Sequence, residues 1–254
     1  MNRKVIYTCL VGGYDNLLQP KVVDESFDYI CFTDDISGQR LGVWEMRPIA
    51  YKSAIKSQVS RYPKILPHME LPEYEYSLYM DASLQILSAE FYKSINAKIE
   101  SGCLIAQVKH CIPPVDCIYD EIVNAYGYNV VTFMKAWKQT RYLRRNHFPK
   151  HVGLFENNLI FRKHGNELVE YLMSQWWNEY LKGGPRDQFS LMYVYWKNNY
   201  MPDYLLDEDV CSRNTPWLKL HQHIWQRNER PSFRERVIRR MHQITYPYVK
   251  YFFV

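Results

Sequence analysis

Two carboxylates in this 254-residue chain stand where apolar runs end or begin. Asp81 closes YSLYMD (76–81) and is followed by the small pair Ala82 and Ser83, whereas Asp187 opens RDQFSL (186–191). An Asp at a strand end readily starts a turn, because its oxygens accept hydrogen bonds from the backbone that follows. The same position on an open α/β sheet faces ligand, since such sheets bind at the carboxyl ends of their strands. A carboxylate there can meet a metal ion or a sugar hydroxyl. Asp187 falls in the first turn of a predicted helix, where the macrodipole favours a carboxylate and where it can equally act as a cap.

The elements that must carry these groups are legible as an alternation. RKVIYTCLVGGYD is a buried first strand running into Gly12 and Gly13, and FDYICFTDD is a second that delivers Thr33, Asp34 and Asp35 to a loop. VWEMRPI reads as a third strand, and YKSAIKSQVSRYPKILPHM as a helix broken around Pro63, with Lys52, Lys56 and Arg61 as basic members. With YSLYMDASLQI as the fourth strand, the alternation predicts an α/β domain with a largely parallel sheet. Beyond it, CLIAQVKH and GLFENNLIFRKH are strand-like; VDCIYDEIVNAYGY, NELVEYLMSQWWNEYLKG and RDQFSLMYVYWKN are helical in spacing. Between Ile122 and Phe155 there is no acidic residue, while Lys135, Lys138, Arg141, Arg144, Arg145 and Lys150 accumulate.

Composition narrows the class. Hydrophobic residues at 47% and charged residues at 23% describe a globular protein, and the length suits one large domain with a modest extension. Tyr (22) and Trp (7) are abundant, which suits wet, concave surfaces where a ring stacks on a sugar face. Six cysteines show neither CxxC nor zinc spacing and no secretory signal precedes them, so they read as reduced thiols of a cytosolic protein. No run approaches the ~20 apolar residues that a membrane-spanning helix needs. The net charge of +5 resides in residues 227–254, where seven Lys or Arg face two acidic residues. In RPSFRERVIRRMHQITYPYVKYFFV, Phe233, Val237, Ile238, Met241 and Ile244 recur at helical spacing with Arg234, Arg236, Arg239 and Arg240 available as flanks. That is either a helix docked on the domain or a surface-lying membrane helix.

LYMDAS resembles the strand end bearing the Asp-x-Asp motif of GT-A glycosyltransferases, notably of glycogenin-like enzymes; FENNLIF is similar to their later Asn-bearing strand and RDQFSL to their Asp-Gln helix start. YTCLVGGYDNL, YICFTDD, WEMRPI, SRYPKILPH, YSLYMDAS, CIYDE and RDQFSLMYVYWK together resemble the glycosyltransferase-like family called domain of unknown function 616, over about residues 4–200. The resemblance implies a GT-A-like Rossmann-type fold with a mostly parallel central sheet flanked by helices, a single domain over 1–226 and a basic amphipathic extension over 227–254. It implies a hexosyltransferase-like enzyme moving a sugar from a nucleotide-sugar donor, UDP-sugar first, to a glycan or lipid-linked glycan acceptor in bacterial surface polysaccharide synthesis.

By position, the loop after the first strand (Thr8, Gly12, Tyr14) and Asp34 would lie near base and ribose, Asp81 and Ser83 near ribose, diphosphate and metal, and Asp187 near the transferred sugar. Asn157 and Gln188 join the donor-binding set. Glycines are also turn formers and Asp34 can cap a helix. Leaving-group charge is met by Mg²⁺ or Mn²⁺, or by Lys, Arg and helix amino termini. The second carboxylate of the motif is here Ser83, a weak neutral ligand, which leaves metal binding open. His221 and His223 in KLHQHIW fall late in the chain, where some glycogenin-like enzymes supply a metal-binding His, and imidazole suits Mn²⁺ better than Mg²⁺. Lys52, Lys56, Arg61 or Lys64 would neutralise the diphosphate without metal. His110 can be an acceptor-site base, as can Asp187 or Glu156, or a packed strand-end residue. The rival class is a non-catalytic sugar- or nucleotide-binding module of degenerate fold. No specific nucleic-acid motif accompanies the basic segments. The expected location is cytoplasmic, with peripheral attachment to the inner face of the membrane through the tail and anionic lipid.

Overall fold

The computed structural model describes residues 3–13, 15–35, 38–110, 115–182, 186–222, 236–237, 240–241 and 244–248. They form an α/β fold whose main sheet has eight strands in the order β3-β4-β2-β1-β5-β8-β7-β9. The strands are β1 (Lys4–Leu10), β2 (Asp28–Thr33), β3 (Arg40–Leu41), β4 (Trp44–Pro48), β5 (Tyr76–Met80), β7 (Ile105–Lys109), β8 (Phe155–Lys163) and β9 (Asp203–Tyr204). A two-stranded ribbon pairs β6 (Leu84–Ile86) with β10 (Leu218–Leu220). The helices are α1 (Lys56–Ile65), α2 (Pro67–Glu70), α3 (Ala89–Glu100), α4 (Ile118–Gly127), α5 (Phe133–Arg145), α6 (Glu167–Leu181) and α7 (Leu191–Lys197).

β1 pairs in parallel with β2 and with β5, and β2 with β4, as the strand-helix alternation predicts. All five residues of β5 are buried, and so are Val5 to Thr8 of β1, the continuous apolar run of strands covered on both faces. β8 runs antiparallel to β5, which makes the sheet mixed. The break expected around Pro63 falls later. α1 passes through Pro63 and ends at Ile65, because its C-cap Leu66 precedes Pro67, and a residue before proline is driven out of the helical region. Pro67 then opens α2, the position where a missing N–H is harmless.

The chain divides into two compact units. Residues 1–109, 156–177 and 202–228 form the first; residues 110–155, 178–201 and 229–254 form the second. The first holds the sheet, cored by Ile6, Leu78, Phe91, Phe161 and their neighbours. The second is helical, with Phe148 set against Tyr193 and Trp196 at ring distances of 5.9 and 5.4 Å. The thiols depart from expectation. Cys9, Cys31, Cys103 and Cys117 are free, but Cys211 is disulfide-bonded; Cys111 lies outside the described residues. The connectivity of a disulfide cannot be deduced from sequence alone, which is why the sequence missed it.

Candidate active site

Parallel pairing puts the carboxyl ends of β1, β2 and β5 on one edge of the first unit. The loop after β1 turns through Gly12, whose positive φ (+72°) favours glycine. Its N–H donates to Asp34 Oδ1 at 2.8 Å, so the first two loops are tied together. A Cβ on Gly12 would lie 3.0 Å from Lys56 Nζ, which shows that the tip of this α1 side chain rests against the loop. Thr8, expected in the loop, is instead inside β1 and buried, because the strand runs on to Leu10. Tyr14 lies outside the described residues.

Asp81 closes the turn with its backbone and leaves its carboxylate at the sheet edge. Its N–H donates to the Asn158 carbonyl (2.9 Å) and its own carbonyl accepts from Leu84 N–H (2.9 Å), closing the turn with backbone alone. The carboxylate is left for other work: Oδ1 accepts from the Tyr79 hydroxyl at 2.7 Å and faces Lys64 Nζ at 3.4 Å. The Asp81 side chain is 38% exposed, whereas that of Lys64 is 4% exposed. Burial, and then the Asp81 charge, hold the Tyr79 phenol well above its ordinary value, so it stays a donor; the Arg61 charge opposes this. Underneath, fully buried Arg162 donates to the Lys64 carbonyl (2.7 Å) and to the Tyr7 hydroxyl (2.6 Å). Sequence reading missed Tyr79 and Arg162, although period two puts Tyr79 on the face of Asp81, and Arg162 is a charge in an apolar strand.

Ser83 is buried, and its carbonyl accepts the His221 N–H at 2.8 Å, since β10 pairs with β6 immediately after the turn. The sequence-predicted His221 therefore does reach the Asp81–Ser83 turn, with Nε2 3.0 Å from Gln85 Oε1; His223 lies outside the described residues. Hard dications are held by carboxylates together with substrate phosphates. Among the described residues Asp81 belongs to no cluster of three or more metal-ligating side chains, and its charge is met by the Lys64 ammonium. Bringing a dication to the same oxygens sets two positive centres against each other, so this turn fits a metal poorly. A donor set that does converge lies in the second unit: Asp116, Cys117, Asp120 and His151, with ligand atoms within 4.8 Å of one another.

Asn157, a predicted donor-site residue, is buried in the sheet, with Gln107 Nε2 donating to its Oδ1 at 3.2 Å. Buried Glu156 accepts from Ser212 Oγ (2.6 Å) and Asn158 Nδ2 (2.9 Å) and pairs with Arg213, a set of bonds that anchors the start of β8.

In the second unit the segment at Asp187 differs from the expected helix. Asp187–Phe189 is a single 3-10 turn, and α7 begins only at Leu191. The Ser190 N–H and hydroxyl both donate to the Asp187 carbonyl at 3.3 Å, which tightens the chain to the three-residue repeat. The Asp187 side chain is buried. Gln188 Nε2 donates to the Phe155 carbonyl at 2.5 Å. Arg186 pairs with Glu121 at 2.6 Å, and His110 Nε2 stands 3.9 Å from the other Glu121 oxygen. His110 thus has a carboxylate partner of the kind that orients a base; Glu121 and Arg186 fall inside CIYDE and RDQFSL, but sequence spacing alone does not show that they meet.

Of the tail, the described residues show Val237, Met241 and Ile244 exposed, while Thr245 Oγ1 is 3.2 Å from the Tyr126 hydroxyl. Phe233, Arg234, Ile238 and Arg239 lie outside the described residues. Among the described residues no helix is long and apolar enough to cross a membrane.

Glycine loop, acidic strand ends and basic helix gather on one carboxyl edge of an α/β sheet, the edge where such sheets generally bind ligands. The chain belongs to the TOD1/MUCI70 family, a glycosyltransferase-like domain, whose sequence model matches residues 1–223. No curated protein matches the chain. Among solved structures it is similar to apo mouse xyloside xylosyltransferase 1, at 10% identity and a TM-score of 0.44, covering 81% of this chain and 85% of that one. It is also similar to the apo glycosyltransferase GlyE of Streptococcus pneumoniae TIGR4, at 13% identity and a TM-score of 0.47, covering 99% of this chain and 62% of that one.

Proposed function

We propose that this protein is a GT-A-like glycosyltransferase that moves a hexosyl group from a nucleotide sugar, UDP-sugar first, to a glycan or lipid-linked glycan acceptor of a bacterial surface polysaccharide. The observation that carries this reading is the grouping of Gly12, Asp34, Lys56, Lys64 and Asp81 on the carboxyl edge of three parallel strands. Gly12 and Asp34 serve base and ribose, and Asp81 the ribose and diphosphate. Breaking the sugar–diphosphate bond builds negative charge on the leaving phosphate, which preorganised cations can stabilise. We assign that work to Lys56 and Arg61, with Lys64 holding Asp81 in place, since the turn itself is a poor metal site. Asp187 and Gln188 serve the transferred sugar, and His110, oriented by Glu121, is the base candidate for the acceptor hydroxyl.

A panel of UDP-, GDP- and CMP-sugars, tested by thermal shift with Mn²⁺ or with EDTA and then by transfer, decides the matter. A shift in EDTA followed by sugar transfer is expected. A shift without transfer or hydrolysis to any acceptor gives the non-catalytic binding module, the reading that Ser83 in place of a second carboxylate favours. No shift with any nucleotide sugar removes the function. We also propose peripheral, salt-sensitive attachment to a cytoplasmic anionic membrane face through Val237, Met241 and Ile244, whose exposure supports it. A chain ending at Gln226 should then fail to sediment with anionic vesicles that retain the full chain.

A further inference from the structure

The second unit carries a cavity of about 710 Å³ lined by Lys135, Trp137, Lys138, Arg141, Tyr142 and Arg145 of α5, together with Glu179 and Lys182. One face of α5 explains the rest of the helix: Ala136, Gln139, Thr140 and Leu143 are buried and fix it to the unit. On the other side Lys135, Lys138, Arg141, Arg144 and Arg145 are exposed, and all are positive. Lys135/Lys138, Lys138/Arg141, Arg141/Arg144 and Arg141/Arg145 are like-charge pairs at spacings of three and four, each of which destabilises an exposed helix. No carboxylate among the described residues pairs with Lys135, Lys138, Arg141 or Arg145. The one acidic lining residue is already engaged: Glu179 accepts from the Tyr142 hydroxyl at 2.7 Å and pairs with Lys182 at 2.8 Å. Among the described residues Lys135, Lys138, Arg141 and Arg145 keep this repulsion without a carboxylate partner, an arrangement that suits external negative charge.

The shape selects among anions. Lys135 and Arg145 are ten residues apart along the helix, a span of about 15 Å, so the cations form a row rather than a point site. The groove is concave, which does not match a planar bilayer. Its cations alternate with rings: Trp137 is half-buried and carries the Arg141 guanidinium 5.1 Å from its centroid, and Tyr142 is held in the wall by Glu179. Rings with one polar end suit the faces of sugars, and guanidinium groups bind carboxylates in bidentate fashion. We infer that this groove binds a glycan chain bearing carboxylates, as acceptor or product. The assignment to an acceptor rests on the glycosyltransferase reading; the binding itself does not.

The test uses the full chain and the variant K138E/R141E/R145E, whose three exposed positions can change without touching the core. Probes are hyaluronan fragments, neutral dextran, poly-dT and phosphatidylserine vesicles, with thermal shift by UDP-, GDP- and CMP-sugars read on the same preparations. The wild type should bind hyaluronan with an affinity that falls steeply with salt, ignore dextran, and lose at least tenfold in the variant while the nucleotide-sugar shift stays unchanged. Equal binding of dextran, tighter binding of poly-dT, or an unaltered variant would overturn the inference. So would vesicle binding that the variant loses while hyaluronan never binds, since the groove would then serve lipid. If UDP-, GDP- and CMP-sugars all fail to shift either protein while hyaluronan binds, the enzymatic reading falls and the groove stands; a nucleotide-sugar shift without hyaluronan binding sinks the groove alone.

Discussion

Lys64 holds its ammonium 3.4 Å from the Asp81 carboxylate, one group buried under the sheet edge and the other opening onto it. The pair is neutral before any ligand arrives, so a diphosphate approaching Asp81 does not meet an uncompensated negative charge. Lys64→Met removes the ammonium while keeping much of the stem's volume. It should weaken UDP binding at least tenfold, about 1.4 kcal/mol, as read by calorimetry in EDTA. If the wild type binds UDP only with Mn²⁺, or if the variant binds as tightly as the wild type, Lys64 does not have this role.

Asp81→Ala should abolish transfer and leave the fold intact, because the turn is closed by its backbone carbonyl and not by its carboxylate. The lost charge stabilisation amounts to several kcal/mol of barrier. The checks are initial rates with the preferred nucleotide sugar and an unchanged circular dichroism spectrum; near-normal turnover would leave Asp81 as a turn residue and nothing more.

Asp187→Asn should lower turnover by orders of magnitude with little change in nucleotide affinity, since its assigned contact is to the sugar. Its side chain is buried at the start of the 3-10 turn, where a structural role and a contact to sugar predict different outcomes. Turnover and UDP affinity measured on the same preparation separate the two roles, and unchanged turnover would take Asp187 out of the site.

How far the chain could be read without coordinates differs between its parts. YSLYMD announced a buried strand ending on a carboxylate, and that strand is β5. Four nearby cations were legible on the segment around α1, but which of them meets Asp81 depends on the helix's rotation about its axis, and that is set by tertiary packing. Strand direction was not legible either: a buried run of Val, Ile, Phe and Tyr looks alike in parallel and antiparallel pairs, and β8 turned out antiparallel. The 3-10 turn at Asp187 escaped because it is fixed by Ser190 hydrogen bonds that helical spacing does not encode. Thr8 was misplaced by only two residues of strand, the ordinary uncertainty of an element's end.

Arg162 lies fully buried and donates to the Tyr7 hydroxyl and the Lys64 carbonyl, fixing the carboxyl-terminal part of α1 on β1. Arg162→Met keeps bulk but removes both bonds, leaving the Tyr7 hydroxyl its 3.1 Å bond to the Pro63 carbonyl. Relief of the desolvated charge offsets part of that loss, and breaking a buried charged contact typically leaves about 3 kcal/mol of destabilisation. Urea denaturation should show it as a lower midpoint at an unchanged slope. A loss below about 1 kcal/mol, the range of a single net hydrogen bond, would mean that this cation does not secure α1.

The fold should also lose stability in mild acid through His164. Burial pushes its imidazole from 6.5 down to about 4, with the neighbouring charges of Arg162 and His68 adding to the effect. In the folded state the ring is neutral, with Nε2 2.7 Å from the Ser77 hydroxyl. The unfolded chain takes up the proton near its ordinary value while the folded chain does not. Above pH ~6.5 both states are neutral and the contribution is fully present; as pH falls towards 4 the unfolded state binds more protons and stability drops. The full difference is about 3 kcal/mol over that window. His68, also lowered by burial, changes in the same direction, so the His164 share must be read by difference. Urea midpoints for the wild type and His164→Gln at pH 7, 5.5 and 4.5 provide it: the gap between the two should shrink or reverse as pH falls, because Gln cannot protonate. Parallel curves across the series would show that His164 is not the group that titrates.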